Sequence, residues 1–312
     1  DDQARFREVA GEAVDFARFT LELFHKTVLQ NSDYLDLILS DAFTHRTYYM
    51  GMVDRLHRVN FYDGEIRVVS PEGKEWAQFG ARQYLDHVAE HVEPWTYMKF
   101  CYLKKVGWQG FAEGAGSGVF SVAPLARLNA AEGMATPLAQ EAYARFYGTF
   151  PGKPVHHTLA NHWARVIELL YAAERMRELA NDPELTDPNI RTLPTATPRE
   201  GMGVVEAPRG TLFHHYQTDE RGRIRKANLI VATQHNAARI SMSVEKAARG
   251  VLSGGDISDG ALNLVEMAFR AYDPCFGCAT HALPGQMPLE VRVFDANGTR
   301  IAARRRGAEP RP

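Results

Sequence analysis

Apolar residues recur at helical spacing near the start of the chain. Over residues 3–30, Phe16, Phe19 and Leu23 form one stripe, and Leu21, Phe24 and Val28 widen it until little polar face remains. This pattern predicts a core helix. A second helix is predicted over "DYLDLILSDAFTHRTYYMGMVDRL" (33–56), followed by a β-hairpin in "VNFYDGEIRVVSPEG" turning at Asp63-Gly64. A further helix is expected over "RQYLDHVAEHVEPW" (82–95), and the Gly-rich stretch 107–119 reads as irregular. Helical patterns then cover 129–148 and 158–179, and four prolines make 181–203 a long connection. A second hairpin is predicted after residue 210 with Arg221-Gly222 near its turn, and then a helix over 236–252. The last long helix, capped by Ser258 or Asp259, carries Leu262, Val265, Phe269 and Tyr272 on one face and is stopped by Pro274. The fold class expected is mainly α (α+β), a long-helix bundle with small antiparallel hairpins.

Composition narrows the partners more than the fold. Lys and Arg number 36 against 38 Asp and Glu, for a net charge of −2, so neither nucleic acid nor an anionic membrane is an expected partner. No apolar run approaches the roughly 20 residues of a spanning helix, and the start lacks the pattern of a secretory signal. A cytoplasmic location is expected. Three cysteines make no disulfide framework, which directs attention to metal binding or redox chemistry.

Several short patterns offer chemistry. "HVAEH" (87–91) has the spacing of two zinc-binding histidines one helical turn apart, but no third ligand stands nearby, and a solvated helix face is the better reading. Gly114, Gly116 and Gly118 lack the flanking strand and helix of a phosphate loop. The pairs His156-His157 and His214-His215 alternate in direction if extended, and Cys101 reads as an inert packed thiol. The strongest pattern is Cys275-x-x-Cys278 followed by His281. A redox pair normally opens a helix, whereas this one follows a helix; structural zinc with His281 and one more ligand remains a competitor. Upstream, "EAPRGTLFHHY" (206–216) sets Arg209 in a rigid bend after Pro208, a placement suited to anion recognition.

Together, "DPCFGCATH" (273–281), "EAPRGTLFHHY", "LIVATQHN" (229–236), "APLARLN" (123–129) and "GEIRVVSPEG" (64–73) resemble the large, catalytic subunit of [NiFe] hydrogenases over essentially the whole chain. The details look most like the cytoplasmic NAD-linked bidirectional subgroup. The resemblance implies a nickel ion held by four thiolates, two of them bridging to an iron that carries carbon monoxide and cyanide. By match to the motif, Cys275 would be a terminal nickel ligand and Cys278 a bridging one, with Cys275 a plausible proton acceptor when dihydrogen splits heterolytically. Pro208 and Arg209 would form a canopy over the metals, and Thr233 would donate to a cyanide. A magnesium ion, or iron in its place, would take a ring nitrogen of His281 and the backbone carbonyl of Leu229.

Two departures accompany the resemblance. The RxCGxC segment that supplies the other two thiolates is absent, and the start without Met leads to the expectation of an N-terminal truncation. The family matures by cleavage after the His that ends the motif, so residues 1–281 are expected to form the hydrogenase domain and 282–312 an extension still to be removed. The extension should form a hairpin turning at Asn297-Gly298. Phe276 stands where an aliphatic residue is expected. The implied partners are an iron–sulfur small subunit, a flavin- and NAD-binding diaphorase module, and the nickel-insertion proteins and endopeptidase of maturation. The alternatives are the quinone-reducing relative in respiratory complexes, which has no use for the thiolates, and a zinc-bound or non-catalytic assembly subunit.

Overall fold

The computed structural model describes residues 2–252, 257–280 and 289–306. The first helix, α1 (Asp2–Phe24), runs into a π-helical turn at His25–Leu29. Only part of the predicted face is buried: Leu21, Phe24 and Val28 pack against the core, whereas Phe16, Phe19 and Leu23 turn outward. Ala10, Val14 and Ala17 are buried, with Val14 and Ala17 against Leu170 and Ala173, whereas Phe16 and Phe19 are 63% and 58% exposed. Small side chains at a helix crossing let the axes approach, so packing at close range decides the buried face here rather than total apolarity.

The helix α2 (Ser32–Leu39) begins where the Asn31 carboxamide oxygen accepts from the Asp33 and Tyr34 amides, at 3.0 and 3.4 Å. It ends far short of residue 56. The stretch "YYMGMV" is instead a strand, β1 (Tyr48–Val53), buried at every position. A run of aromatic residues, Met and Val suits a strand covered on both faces. Gly51 is needed within it, because a Cβ there would lie 2.8 Å from the Cα of Arg127.

The Asp63-Gly64 turn also joins other strands than expected. β1 lies between β2 (Arg58–Val59) and β3 (Glu65–Val69), so the turn crosses over β1 instead of closing a hairpin. The hairpin proper joins β3 to β4 (Glu75–Phe79). The segment predicted as a helix over 82–95 divides into a short helix, α3 (Tyr84–His87), and a strand, β5 (Val88–Val92), paired with β6 (Lys99–Leu103). Alternating Val88, Glu90 and Val92 with Ala89 and His91 fits a strand as well as a helix, and cross-strand pairing decides between them.

After the irregular Gly-rich stretch come β7 (Phe120–Ser121), α4 (Pro124–Ala130) and β8 (Gly133–Met134). A six-stranded sheet results, ordered β4-β3-β1-β2-β8 with β7 parallel to β1. The helices α5 (Pro137–Thr149) and α6 (Asn161–Ala180) pack around Trp163, Phe146 and Phe43, with Leu128 of α4 in the same core. The Pro-rich connection leads into a strand that the sequence pattern does not reveal, β9 (Glu200–Ala207), alongside the expected β10 (Gly210–Thr218) and β11 (Ile224–Ile230). Phe213 and Ile230 of this second sheet share a core with Met50, Met52, Ile66 and Val68 of the first.

The chain continues through α7 (Ala232–His235), α8 (Ala237–Val251) and α9 (Asp259–Arg270), the last capped by the Ser258 hydroxyl, which accepts from the Ala261 amide at 3.2 Å. A five-residue helix, α10 (Phe276–Thr280), and the hairpin β12 (Leu289–Phe294) with β13 (Arg300–Arg306) complete the described elements. The expected helix-dominated fold with small sheets is the observed one, although the pairs β1–β7 and β2–β8 are parallel rather than antiparallel. Among the described residues no helix is long and apolar enough to cross a membrane.

Candidate metal centre

The cysteine pair owes its position to the way α9 ends. Asp273 adopts φ 50°, a left-handed conformation that Asp tolerates, and its amide donates to the Arg270 carbonyl at 2.9 Å. Pro274 prevents the helix from continuing. Cys275 then opens α10, its carbonyl accepting from the amides of Cys278 and Ala279 at 3.1 and 3.2 Å. The pair therefore does stand at a helix start, contrary to the expectation that it merely follows one. A redox pair can occupy that position as well as a metal-binding one. One turn brings the two Cα atoms within 5.3 Å, and the sulfurs are joined as a disulfide.

Two distant segments converge on this turn. The Thr233 hydroxyl oxygen of α7 accepts from the Cys275 amide at 3.2 Å, which leaves its own O–H free to donate. Arg209, between β9 and β10, donates from Nε to the Asp273 carbonyl, and the same nitrogen lies 3.6 Å from the Asp273 carboxylate. Thus Arg209 and Thr233 both bond to the segment Asp273–Cys275, with Pro208 beside Arg209 in the chain.

The backbone of the Arg209 bend is held tightly. Asn236 donates to the Arg209 carbonyl at 3.2 Å, and its own oxygen accepts from the Val122 amide at 2.8 Å and the Ser121 hydroxyl at 3.2 Å. Gly210 has φ 135° and lies so close to Val122 that a Cβ would fall 2.2 Å from a Val122 methyl. Beneath the bend lies Arg127, fully buried. It donates to both Glu168 oxygens, to Glu206 at 2.9 Å, and to the carbonyls of Ala207 and Pro208 at 2.9 and 3.2 Å. Burial opposes its charge, but Glu168 and Glu206 outweigh burial and hold the guanidinium pKa above its ordinary value. Burial raises the Glu206 pKa, with Arg127 acting in the opposite sense.

The motifs contain Arg127, Glu206 and Asn236, but sequence reasoning gives none of the three a role and passes over Glu168 altogether. The available signal is Arg127 within the apolar helix "PLARLNA", since a buried arginine requires partners.

Other candidates fall outside this convergence. Leu229 lies on β11 opposite His214, its side chain 41% exposed, while His281 and the bond after it lie outside the described residues. Cys101 is buried on β6, where burial pushes its thiol pKa well up. His87 and His91 do not share a helix face: His87 stacks on Phe79 with ring centroids 4.1 Å apart, and His91 bonds Glu93 at 2.9 Å from β5. Among the described residues no three His, Cys, Asp or Glu side chains gather to hold a metal. Once reduced to thiolates, the cysteine pair is a donor set that suits soft metals and amounts to part of a coordination sphere.

The fold and this turn match a known family. The profile of the nickel-dependent hydrogenases covers residues 74–281, and the chain belongs to that family. It is 45% identical over 302 residues to an iron-sulfur subunit of the F420-non-reducing hydrogenase of Archaeoglobus profundus, covering 96% of this chain and 62% of that protein. It is 42% identical over 298 residues to the NAD-reducing hydrogenase HoxS subunit beta of Cupriavidus necator, covering 95% and 59%. Among solved structures, an NAD+-reducing [NiFe]-hydrogenase in the H2-reduced state superposes with a TM-score of 0.81 at 33% identity, covering 89% of this chain and 59% of that one. The chain therefore spans about three fifths of the length of these relatives.

Proposed function

We propose that the chain supplies one of two cysteine pairs to the nickel–iron centre of a [NiFe] hydrogenase catalytic subunit, which cleaves and forms dihydrogen reversibly. The observation that carries this reading is the convergence of Arg209 and Thr233 on the Cys275 turn in a chain of the hydrogenase family. Cys275 and Cys278 would hold the metals as thiolates, and the remaining two thiolates would come from sequence outside this chain. When bound, the nickel–iron group, with its carbon monoxide and cyanide ligands, supplies the position at which dihydrogen is polarised.

The chain's own residues have distinct tasks. The Cys275 sulfur would take the proton released on heterolytic cleavage. Arg209 would present a fixed cation to the open side of the site, and Pro208 would shape the apolar wall beside it. The free O–H of Thr233 would donate to a cyanide. His281 and the Leu229 carbonyl would hold magnesium, or iron in its place.

Electrons would pass to an iron–sulfur small subunit, then through a flavin-containing module to NAD. The resemblance to two NAD-reducing hydrogenases supports this route, and a cytoplasmic location goes with it. Cleavage after His281 by a maturation endopeptidase would follow nickel insertion; the family profile stops at residue 281, which supports that boundary.

Metal analysis tests the reading. The chain, assembled with the missing cysteine segment and the maturation proteins, should contain nickel and iron, and Cys275→Ser or Cys278→Ser should abolish nickel retention. Stoichiometric zinc without nickel would instead establish the zinc-bound assembly role.

A further inference from the structure

We propose that Arg127 is a positioning residue that sets Arg209 against the cysteine turn; the inference rests on the functional reading above. A guanidinium has five N–H donors in a rigid plane. In Arg127 every one is directed to a partner: two to Glu168, one to Glu206, and one each to the carbonyls of Ala207 and Pro208. The last two bonds fix the two peptide groups immediately before Arg209. The carboxylates fix Arg127 in turn.

Neither carboxylate is itself free to move. Glu168 projects from α6, in the main core, and the second Glu206 oxygen accepts from the Met52 amide and the Thr211 hydroxyl, each at 2.9 Å. Arg165, three residues before Glu168 on the same helix, donates to the Ala271 carbonyl at 2.9 Å, just ahead of the cysteine turn. One face of α6 thus holds both sides of the site, the Arg209 bend through Glu168 and Arg127 and the cysteine turn through Arg165. Residues 165 and 168 lie one turn apart, so the separation of the two sides is tied to a rigid helix. A lysine at position 127 has three donors and no planar fork, and cannot hold both carbonyls and both carboxylates.

The test uses the assembled, metal-loaded enzyme with Arg127→Lys, Arg209→Lys and the double variant, with nickel content measured in each. Arg127→Lys should retain nickel and lose turnover by roughly 10- to 100-fold, the range found when groups that orient a metal site are removed. The double variant should be no slower than Arg209→Lys alone, because the two residues act through one another. Amide hydrogen exchange should accelerate in residues 207–211 of Arg127→Lys and stay unchanged in α6. Should Arg127→Lys fail to fold, Glu168→Gln should give a smaller loss with the same exchange pattern. Wild-type turnover, losses that multiply in the double variant, or unchanged exchange at 207–211 would each overturn the proposal. A wild-type assembly without nickel or turnover would instead refute the functional reading, and the exchange comparison would still decide whether Arg127 holds the bend.

Discussion

Replacing Gly210 by Ala should destabilise the protein and displace the arginine bend together. The φ of 135° is one that L residues rarely adopt, and the new Cβ would meet a Val122 methyl at 2.2 Å, the Val122 Cβ at 2.7 Å and the Ala123 nitrogen at 2.9 Å. Backbone strain at such a position costs about 1–3 kcal/mol, and forcing a methyl into a packed site about as much again. The expected loss is therefore ~2–6 kcal/mol. A second change separates the two contributions. Val122→Ala removes the methyl in closest contact but leaves the φ, the Cβ of residue 122 and the Ala123 nitrogen, so the double variant should be less destabilised than the sum of the single changes by ~1–2 kcal/mol. Denaturant titrations followed by circular dichroism give the four stabilities. A loss below about 1 kcal/mol in Gly210→Ala, or strict additivity with Val122→Ala, would refute the claim that the bend is seated against Val122.

Three further outcomes are expected from denaturant titrations. Glu174 of α6 accepts from the Thr136 hydroxyl and the Leu138 and Ala139 amides, at 2.6, 3.1 and 2.9 Å, and so caps α5 from a neighbouring helix; Glu174→Ala should cost about 3–5 kcal/mol and Glu174→Gln about half that, and equal stabilities would contradict the cap. Glu113 is partly buried, which raises its pKa, but the His45 ring and the Arg46 amide override this and hold it at about 2. Its contribution is thus present above pH 4.5 and lost as the pH falls towards 2, so Glu113→Gln should cost about 1 kcal/mol at neutral pH after solvent screening, and the difference from wild type should shrink through that window. His235 lies between Phe120 and Phe213, and burial lowers its pKa to about 3. The unfolded chain takes up this proton below pH 6.5 while the folded chain does not, so His235→Phe should gain on wild type by about 1 kcal/mol per pH unit on acidification, and parallel pH profiles would refute it.

What can be read from sequence differs by kind of information. The helices α6, α8 and α9 carry long 3.6-residue patterns with caps or breakers at their ends, and they lie where the pattern puts them. β1 escapes such reading because its apolar run shows no alternation: both faces are buried, and periodicity cannot tell such a strand from a buried helix. The outward face of α1 misleads because Phe16 and Phe19 outweigh Ala10 and Ala17 in any count of apolarity, whereas helix crossings favour small residues. At the site, Cys275, Arg209 and Thr233 are legible because short motifs carry them. Arg127, Glu168 and Asn236 are not, because their roles exist only in pairings between residues 27 to 115 positions apart. A buried charge announces itself in sequence only as an anomaly, and its partners must be found in space.

Isotope exchange tests the central claim most directly, because heterolytic cleavage at the cysteine pair requires neither NAD nor any electron acceptor. The assembled, nickel-loaded enzyme should convert deuterium gas in ordinary water to HD. Cys275→Ser should not, and Arg209→Lys should do so much more slowly. A nickel-loaded wild-type assembly that forms no HD, or a Cys275→Ser variant that forms it at the wild-type rate, would contradict the account.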